Sequence, residues 1–278
     1  MPEGHTLLKL ANDLDAAFAG RPVRVSSPQG RFAADAALLD GGEVVRADSA
    51  GKHLFVEFAG ERYLHVHLGL IGKFDLYPGT PPAVTVGQVR VRLQNETGYA
   101  DLRGATQCDL IGAEKRAAIL DKLGADPLKP DPQAWDRAWT WISRSNRPIG
   151  DLLMDQGVVA GVGNVYRAEI LFRHKIHPLR PGRTLRRPQF QRLWADLVEL
   201  MEYGVLTGRI DTVRPEHTPE AMGRPPRKDD HGGEVYVYRR SGQECLVCGA
   251  RVRTEILVGR NLFWCPRCQP VFRSRAVG

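Results

Sequence analysis

Four cysteines near the carboxyl end constrain the fold of this chain more tightly than any other feature. Cys245, Cys248, Cys265 and Cys268 are spaced C-x2-C-x16-C-x2-C, the spacing of a tetrahedral four-thiolate zinc site. Each C-x2-C knuckle bends back so that both of its sulfurs face one metal, and Gly249 helps the first knuckle to turn. The segment between the pairs must then return on itself as a hairpin. Two reducible disulfides are the alternative, which the absence of an export signal disfavours. Four protein ligands leave no coordination position for water, so one structural zinc is expected. Cys108 stands alone in a strand-like segment and is expected to be an inert core residue.

The rest of the chain divides by periodicity. Leu7, Leu10, Ala11, Leu14 and Phe18 recur at helical spacing over 5–18, and Gly20 supplies a stop. Short alternating segments follow at 23–25, 43–46, 53–58, 63–68 and 89–93, with a hairpin turn at 59–62. Strands at this spacing predict a β-sandwich or barrel. The Pro- and Asp-rich stretch 124–132 marks a linker, after which helices are expected at 133–143, 148–156, 164–173 and 188–206. The segment 209–234, rich in Pro, Gly and charge, predicts a long mobile loop. The expected class is therefore α+β and multidomain, with boundaries at 1–125, 126–234 and 235–278. No apolar run approaches the ~18–20 residues that span a bilayer, and no signal peptide is apparent, so a cytoplasmic chain is expected. A formal net charge of +7 suits a polyanionic partner such as nucleic acid, although basic proteins without one are common.

The opening residues Met1-Pro2-Glu3-Gly4-His5-Thr6 carry a chemical possibility. With Met1 clipped, Pro2 becomes a secondary amine, and an α-amino group titrates near ~7.7–8.0, well below lysine. A neutral amine attacks electrophilic carbon to give an iminium adduct, and Glu3 beside it can shuttle protons. A chance Met-Pro-Glu start is the plainer explanation for these residues taken alone.

Four further groups leave alternatives open. Gly161-Val162-Gly163-Asn164 runs straight into a helix, which suits a phosphate cradle or a plain interhelical turn. It lacks the βαβ surroundings of a nucleotide fingerprint, so no nucleotide cofactor is expected. Lys52, in Gly51-Lys52-His53, is either a solvated charge or a phosphate contact. His67 and Leu70 in His67-Leu68-Gly69-Leu70-Ile71-Gly72 are either structural or, for Leu70, a wedge for a base stack. Arg260, in Gly259-Arg260-Asn261 at the tip of the expected zinc hairpin, would suit bidentate phosphate gripping.

Taken together and in this order, these motifs resemble the formamidopyrimidine-DNA glycosylase and endonuclease VIII family across nearly the whole chain. The start Pro2-Glu3-Gly4-His5-Thr6 is similar to the endonuclease VIII branch, with an actinobacterial flavour. The resemblance implies an N-terminal β-sandwich with a leading helix, a helix–two-turn–helix domain and a zinc-finger β-hairpin. It implies a monomeric bifunctional DNA glycosylase/AP lyase of base-excision repair that removes oxidised pyrimidines and nicks by β,δ-elimination. Pro2 would be the Schiff-base nucleophile, Glu3 the general acid and Lys52 a second basic group at the active site. Asn164, Arg260 and His67 would contact phosphates, Leu70 would fill the void left by the flipped base, and Arg103 would fill or read the other side. Glu169 would be a structural partner near the amino terminus. The loop Gly69-Leu70-Ile71 is smaller and more apolar than the family's usual void-filling loop, which leaves the opposite-base preference open. Two alternatives remain: a purine-lesion glycosylase acting on 8-oxoguanine, and a zinc-ribbon protein that binds damaged DNA without chemistry.

Overall fold

The computed structural model describes residues 2–82, 84–228 and 233–273. The chain separates into two compact units, one ending at Lys122 and the other beginning at Leu123.

The first unit opens with α1 (Gly4–Phe18), whose expected apolar stripe is buried: Leu7, Leu10, Ala11, Leu14 and Phe18 all face the core. Nine strands follow, with two short helices among and after them. They are β1 (Arg21–Pro22), β2 (Arg24–Ser26), α2 (Ala33–Leu39), β3 (Glu43–Ala50), β4 (His53–Phe58) and β5 (Arg62–His67), then β6 (Lys73–Pro78), β7 (Val89–Gln94), β8 (Gly98–Arg103), β9 (Gln107–Gly112) and α3 (Ala113–Leu120). They form a five-stranded antiparallel sheet ordered β1-β3-β4-β5-β9 and a four-stranded one ordered β2-β7-β8-β6. One apolar core joins the two, with Leu54, Val56, Phe58, Leu64 and Val66 of the larger sheet and Val91, Leu93, Ala100 and Leu102 of the smaller. The alternation of β4 and β5 sends residues 54, 56, 64 and 66 inward, so His53, Phe55, His65 and His67 share the opposite face. Cys108 lies in the core, as expected, and burial pushes its thiol up to about 12.

Sequence periodicity did not mark β6, β8, α2 or α3, while the strand-like segment around Cys108 is β9. In β8 the small and charged residues Gly98, Ala100 and Asp101 interrupt the alternation, and β6 and β7 supply the pairing on either side.

The second unit contains α4 (Ala134–Ile142), α5 (Ile149–Leu152), α6 (Asn164–Arg173), α7 (Arg187–Thr207) and α8 (Pro219–Met222), and ends in a hairpin of β10 (Arg253–Leu257) and β11 (Arg260–Trp264). The helix expected over 148–156 is shorter, because hydrogen bonds at Asp155 and Gly157 turn the chain after Leu152. The segment 209–234 also departs from a bare loop over its described residues; 229–232 lie outside them. Pro215 and Pro219 start short helical turns, Thr218 caps the second, and Arg224 pairs with Glu234 at 2.6 Å.

Candidate active site

Pro2 directly precedes α1, and Glu3 is its N-cap, 0% exposed, with its carbonyl accepting from the Thr6 amide at 2.9 Å. The positive end of the helix dipole lies here, which favours a carboxylate over a second cation. His5 in the first turn obeys the same preference. It is buried, and desolvation, followed by the charge of the amino terminus, lowers its pKa to about 4.

Lys52 occupies the two-residue turn that joins β3 to β4, where Gly51 takes φ +56°. It lies close enough to His67, at the end of β5, that its charge adds to desolvation in lowering the His67 pKa. Two residues absent from the sequence-based site join them. His53 Nδ1 and His65 Nε2 are 2.9 Å apart, and their rings stack at 5.1 Å. His67 meets His53 edge-on at 5.3 Å, and Phe55 stacks on His65 at 5.0 Å. Burial holds His53 and His65 near a pKa of about 4, so these two rings are neutral at physiological pH, and burial lowers His67 as well. The charge of Lys52 bears on His67 and that of Lys115 on His65, so two lysines border the column.

The turn after β5 exposes two large apolar side chains, Leu70 at 62% and Ile71 at 79%. Gly69 is needed beneath them: it takes φ +70°, and a Cβ there would meet Thr106 Oγ1 at 1.8 Å. Arg103 ends β8, and Gly104 after it lies against this turn, where an added Cβ would be 3.4 Å from the Ile71 carbonyl oxygen. Asp101 fixes Arg103 through a 2.8 Å ion pair while also holding the buried Arg92 in a two-point pair at 2.6 and 2.8 Å. The sequence named Ile71 as part of this apolar loop but gave the wedge to Leu70, although Ile71 is the more exposed of the two tip residues.

In the second unit, the turn before α6 is built by Gln156. Its Oε1 accepts from the Gly161 amide at 2.9 Å and its Nε2 donates to the Val162 carbonyl at 3.0 Å. Asn164 opens α6 as expected, but its side chain is 7% exposed and turned into the protein. Its Nδ2 donates to the Asn261 carbonyl at 3.0 Å, and its Oδ1 accepts from Arg167. Arg167, 1% exposed, also reaches the Asn261 carbonyl at 2.9 Å and the Gly150 carbonyl at 3.3 Å. Arg260 itself stands exposed at the β10–β11 turn, where Val258 and Gly259 take φ +48° and +69°. Asn164 and Arg167 thus anchor the residue next to Arg260.

Glu169, expected as a structural partner near the amino terminus, takes its four donors from the second unit. The Tyr236 and Thr212 groups reach Oε2 at 2.6 Å each, and the Val237 and Tyr238 amides reach Oε1 at 2.9 and 2.8 Å. It clasps the chain that leads into the hairpin.

The four cysteine sulfurs lie within 4.8 Å of one another, with Cys245–Cys268 at 3.9 Å and Cys248–Cys265 at 3.4 Å. A tetrahedron with Zn–S of ~2.3 Å requires sulfurs ~3.8 Å apart, so the set fits zinc. Burial pushes the Cys245 thiol up to about 11; a divalent cation is what makes a buried thiolate cluster stable. Gln269 supports the site: it accepts from the Cys265 amide at 3.0 Å and donates to the Ile176 carbonyl at 2.9 Å.

Comparison with known proteins agrees with this geometry. Family models match as the formamidopyrimidine-DNA glycosylase N-terminal domain over residues 1–108, the formamidopyrimidine-DNA glycosylase H2TH domain over 123–214, and the zinc finger found in Fpg and isoleucyl-tRNA synthetase over 242–271. Endonuclease 8 1 of Mycobacterium tuberculosis is 50% identical over 276 residues, covering 97% of this chain and all of the relative. The chain belongs to the formamidopyrimidine-DNA glycosylase and endonuclease VIII family. As a member it is a DNA glycosylase with AP lyase activity and a zinc-finger hairpin. The formamidopyrimidine-DNA glycosylase of Parasynechococcus marenigrum is 32% identical, covering 88% of each chain. Among solved structures, the Fpg protein of Thermus thermophilus matches with a TM-score of 0.74 at 27% identity, over 96% of this chain and 98% of that one. The Lactococcus lactis Fpg in complex with abasic-site DNA shares the fold, with a TM-score of 0.78 at 22% identity over 97% and 100% of the two chains. Among the described residues no helix is long and apolar enough to cross a membrane.

Proposed function

We propose that this glycosylase removes oxidised pyrimidines from DNA and nicks the resulting site by β,δ-elimination through an imine at Pro2. The observation that carries the proposal is Glu3, a carboxylate wholly buried at a helix start and adjacent in sequence to a proline nitrogen. A buried carboxylate is retained at a cost, and here it lies where a general acid is needed. The pyrimidine preference draws its support from the 50% identity to an endonuclease 8 protein and from the Pro2-Glu3-Gly4-His5-Thr6 start.

In this scheme, loss of Met1 frees the Pro2 nitrogen, which attacks the anomeric carbon of an extruded nucleotide. The carbon–nitrogen bond to the base breaks, the base leaving with the bonding pair and taking up the proton that the Pro2 nitrogen loses, and Glu3 then protonates the ring oxygen so that the sugar opens to the iminium. The resulting iminium acidifies the neighbouring C–H, so the 3′ phosphate leaves by β-elimination and the 5′ phosphate by δ-elimination. Lys52 provides the cation for a flanking phosphate, and His67 donates beside it. Asn164 acts through the hairpin that it anchors, and Arg260 grips a phosphate sequence-blindly. Leu70, with Ile71, fills the space vacated by the base. The protein acts as a monomer and zinc supports the hairpin alone.

Borohydride trapping tests the mechanism. Met1-free protein reacting with a thymine-glycol duplex is expected to yield a covalent adduct at residue 2, and Pro2→Gly is expected to yield none. An equal rate of abasic cleavage by Pro2→Gly would remove the proposal. Faster excision of 8-oxoguanine opposite C than of thymine glycol would keep the imine but move the substrate to the purine branch.

A further inference from the structure

A cavity of about 730 Å³ lies within the second unit, between the loop after α6, the start of α7 and the segment after Cys268. Four guanidinium groups line it, from Arg180, Arg186, Arg192 and Arg273, together with Gln189 and Phe272; no carboxylate is among its lining residues. Arg180 spends its donors on neutral acceptors: Thr184 Oγ1 at 3.0 Å, Gln189 Oε1 at 3.4 Å and the Thr184 carbonyl. Its guanidinium lies 4.2 Å from the centroid of the Phe272 ring, which stays 36% exposed. Burial, and then the charge of Arg186, pull the Arg180 pKa below its ordinary value. So much positive charge gathered without an anion among the described residues is an unfavourable arrangement that a bound anion would relieve. The positive end of the 21-residue α7 opens at the same place, where the N-cap residue Arg186 makes no side-chain capping hydrogen bond.

The chemistry narrows the anion. Guanidinium forks match phosphate oxygens in two-point geometry, an aromatic face accepts a base, and the volume lies within the range of small-ligand sites. We propose that this cavity is a second nucleic-acid site, separate from the lesion chemistry, that takes one nucleotide with its phosphate among the arginines and its base against Phe272. The nucleotide comes either from a DNA strand or from the free pool, and both present the same chemistry. The proposal does not depend on the Pro2 mechanism.

The test uses the full-length zinc protein saturated with a duplex carrying a tetrahydrofuran abasic analogue. A fluorescent 5′-phosphorylated tetrathymidylate is then titrated onto that complex. Wild type is expected to bind it. R186E/R192E is expected to bind at least about tenfold more weakly, with a salt dependence shallower by about one for each arginine that had met a phosphate. R186A/R192A, milder for folding, is expected to show the same shift at reduced size, and Phe272→Ala a loss of affinity without a change in slope. R21E/R31E carries the same net charge on the first unit and is expected to bind as wild type does. Competition by AMP assigns the site to a free nucleotide, and competition by strands alone assigns it to DNA. Unchanged affinity in both arginine variants, an equal loss in R21E/R31E, or preference for a hexaglutamate peptide would overturn the proposal. Abasic nicking by R186A/R192A, expected at the wild-type rate, keeps this outcome separate from the fate of the imine.

Discussion

The side-chain amide of Asn164 donates a 3.0 Å hydrogen bond to the backbone carbonyl of Asn261, tying the first residue of α6 to the residue beside Arg260. Arg167 reaches the same oxygen at 2.9 Å. The placement of the hairpin tip is therefore set by the helix and the hairpin together. Arg260→Ala is expected to raise KM for an abasic duplex about tenfold and to reduce the salt slope by about one. Asn164→Ala removes one of two anchors and is expected to cost about 1 kcal/mol in urea denaturation, with a smaller rise in KM. Arg167→Met, which strips the Asn261 and Gly150 carbonyls, is expected to cost about 2–4 kcal/mol.

Glu169 is a second such joint. Its two oxygens accept four hydrogen bonds from Thr212, Tyr236, Val237 and Tyr238. Glu169→Gln replaces an acceptor by an amide that faces donors and removes the charge that strengthens every bond. A loss of about 3 kcal/mol or more is expected in urea denaturation, together with weaker DNA binding. A variant as stable as the parent would show that the carboxylate does not organise this segment.

The buried histidines set an acid limit on stability. His5, His53 and His65 each sit near a pKa of about 4 in the fold against 6.5 ordinarily. The unfolded chain therefore takes up more protons between those values. Stability from these groups is complete above the ordinary value and falls as pH drops toward the folded one. The urea midpoint is expected to decline on acidification from about pH 7 to about pH 4.5, and His65→Asn to flatten that decline. A parallel decline in the two proteins would remove His65 as a contributor.

The apolar turn predicts a distinction between substrates. With Leu70 and Ile71 both shortened to alanine, excision of a paired lesion is expected to slow by about tenfold or more, because the vacated stack is no longer filled. Cleavage of a single-stranded abasic site, which has no stack to fill, is expected to stay within about twofold. Equal slowing on both substrates would show that the turn supports the fold and not the extruded state.

Much of the plan can be read along the chain because it depends on local spacing. The C-x2-C pairs brought four sulfurs together, Gly161-Val162-Gly163 led into a helix at Asn164, and the stripe Leu7–Phe18 was buried as drawn. The alternation of β4 and β5 likewise placed Leu54 and Leu64 in the core. The stripe and the alternation follow from helical and extended repeats, and the knuckles and the glycine turn from short local spacing, which a few neighbouring residues suffice to express.

Other relationships arise from long-range pairing, and no local repeat encodes them. The β4–β5 register stacked His53 on His65, and the hairpin's return laid Asn261 against Arg167 across 94 positions. Chain folding delivered Tyr236 to Glu169 and Phe272 to Arg180 in the same way. In each case two segments must first be brought together before either side chain has a partner. Local spacing thus announced the elements and the metal, while packing alone chose which buried polar groups would meet.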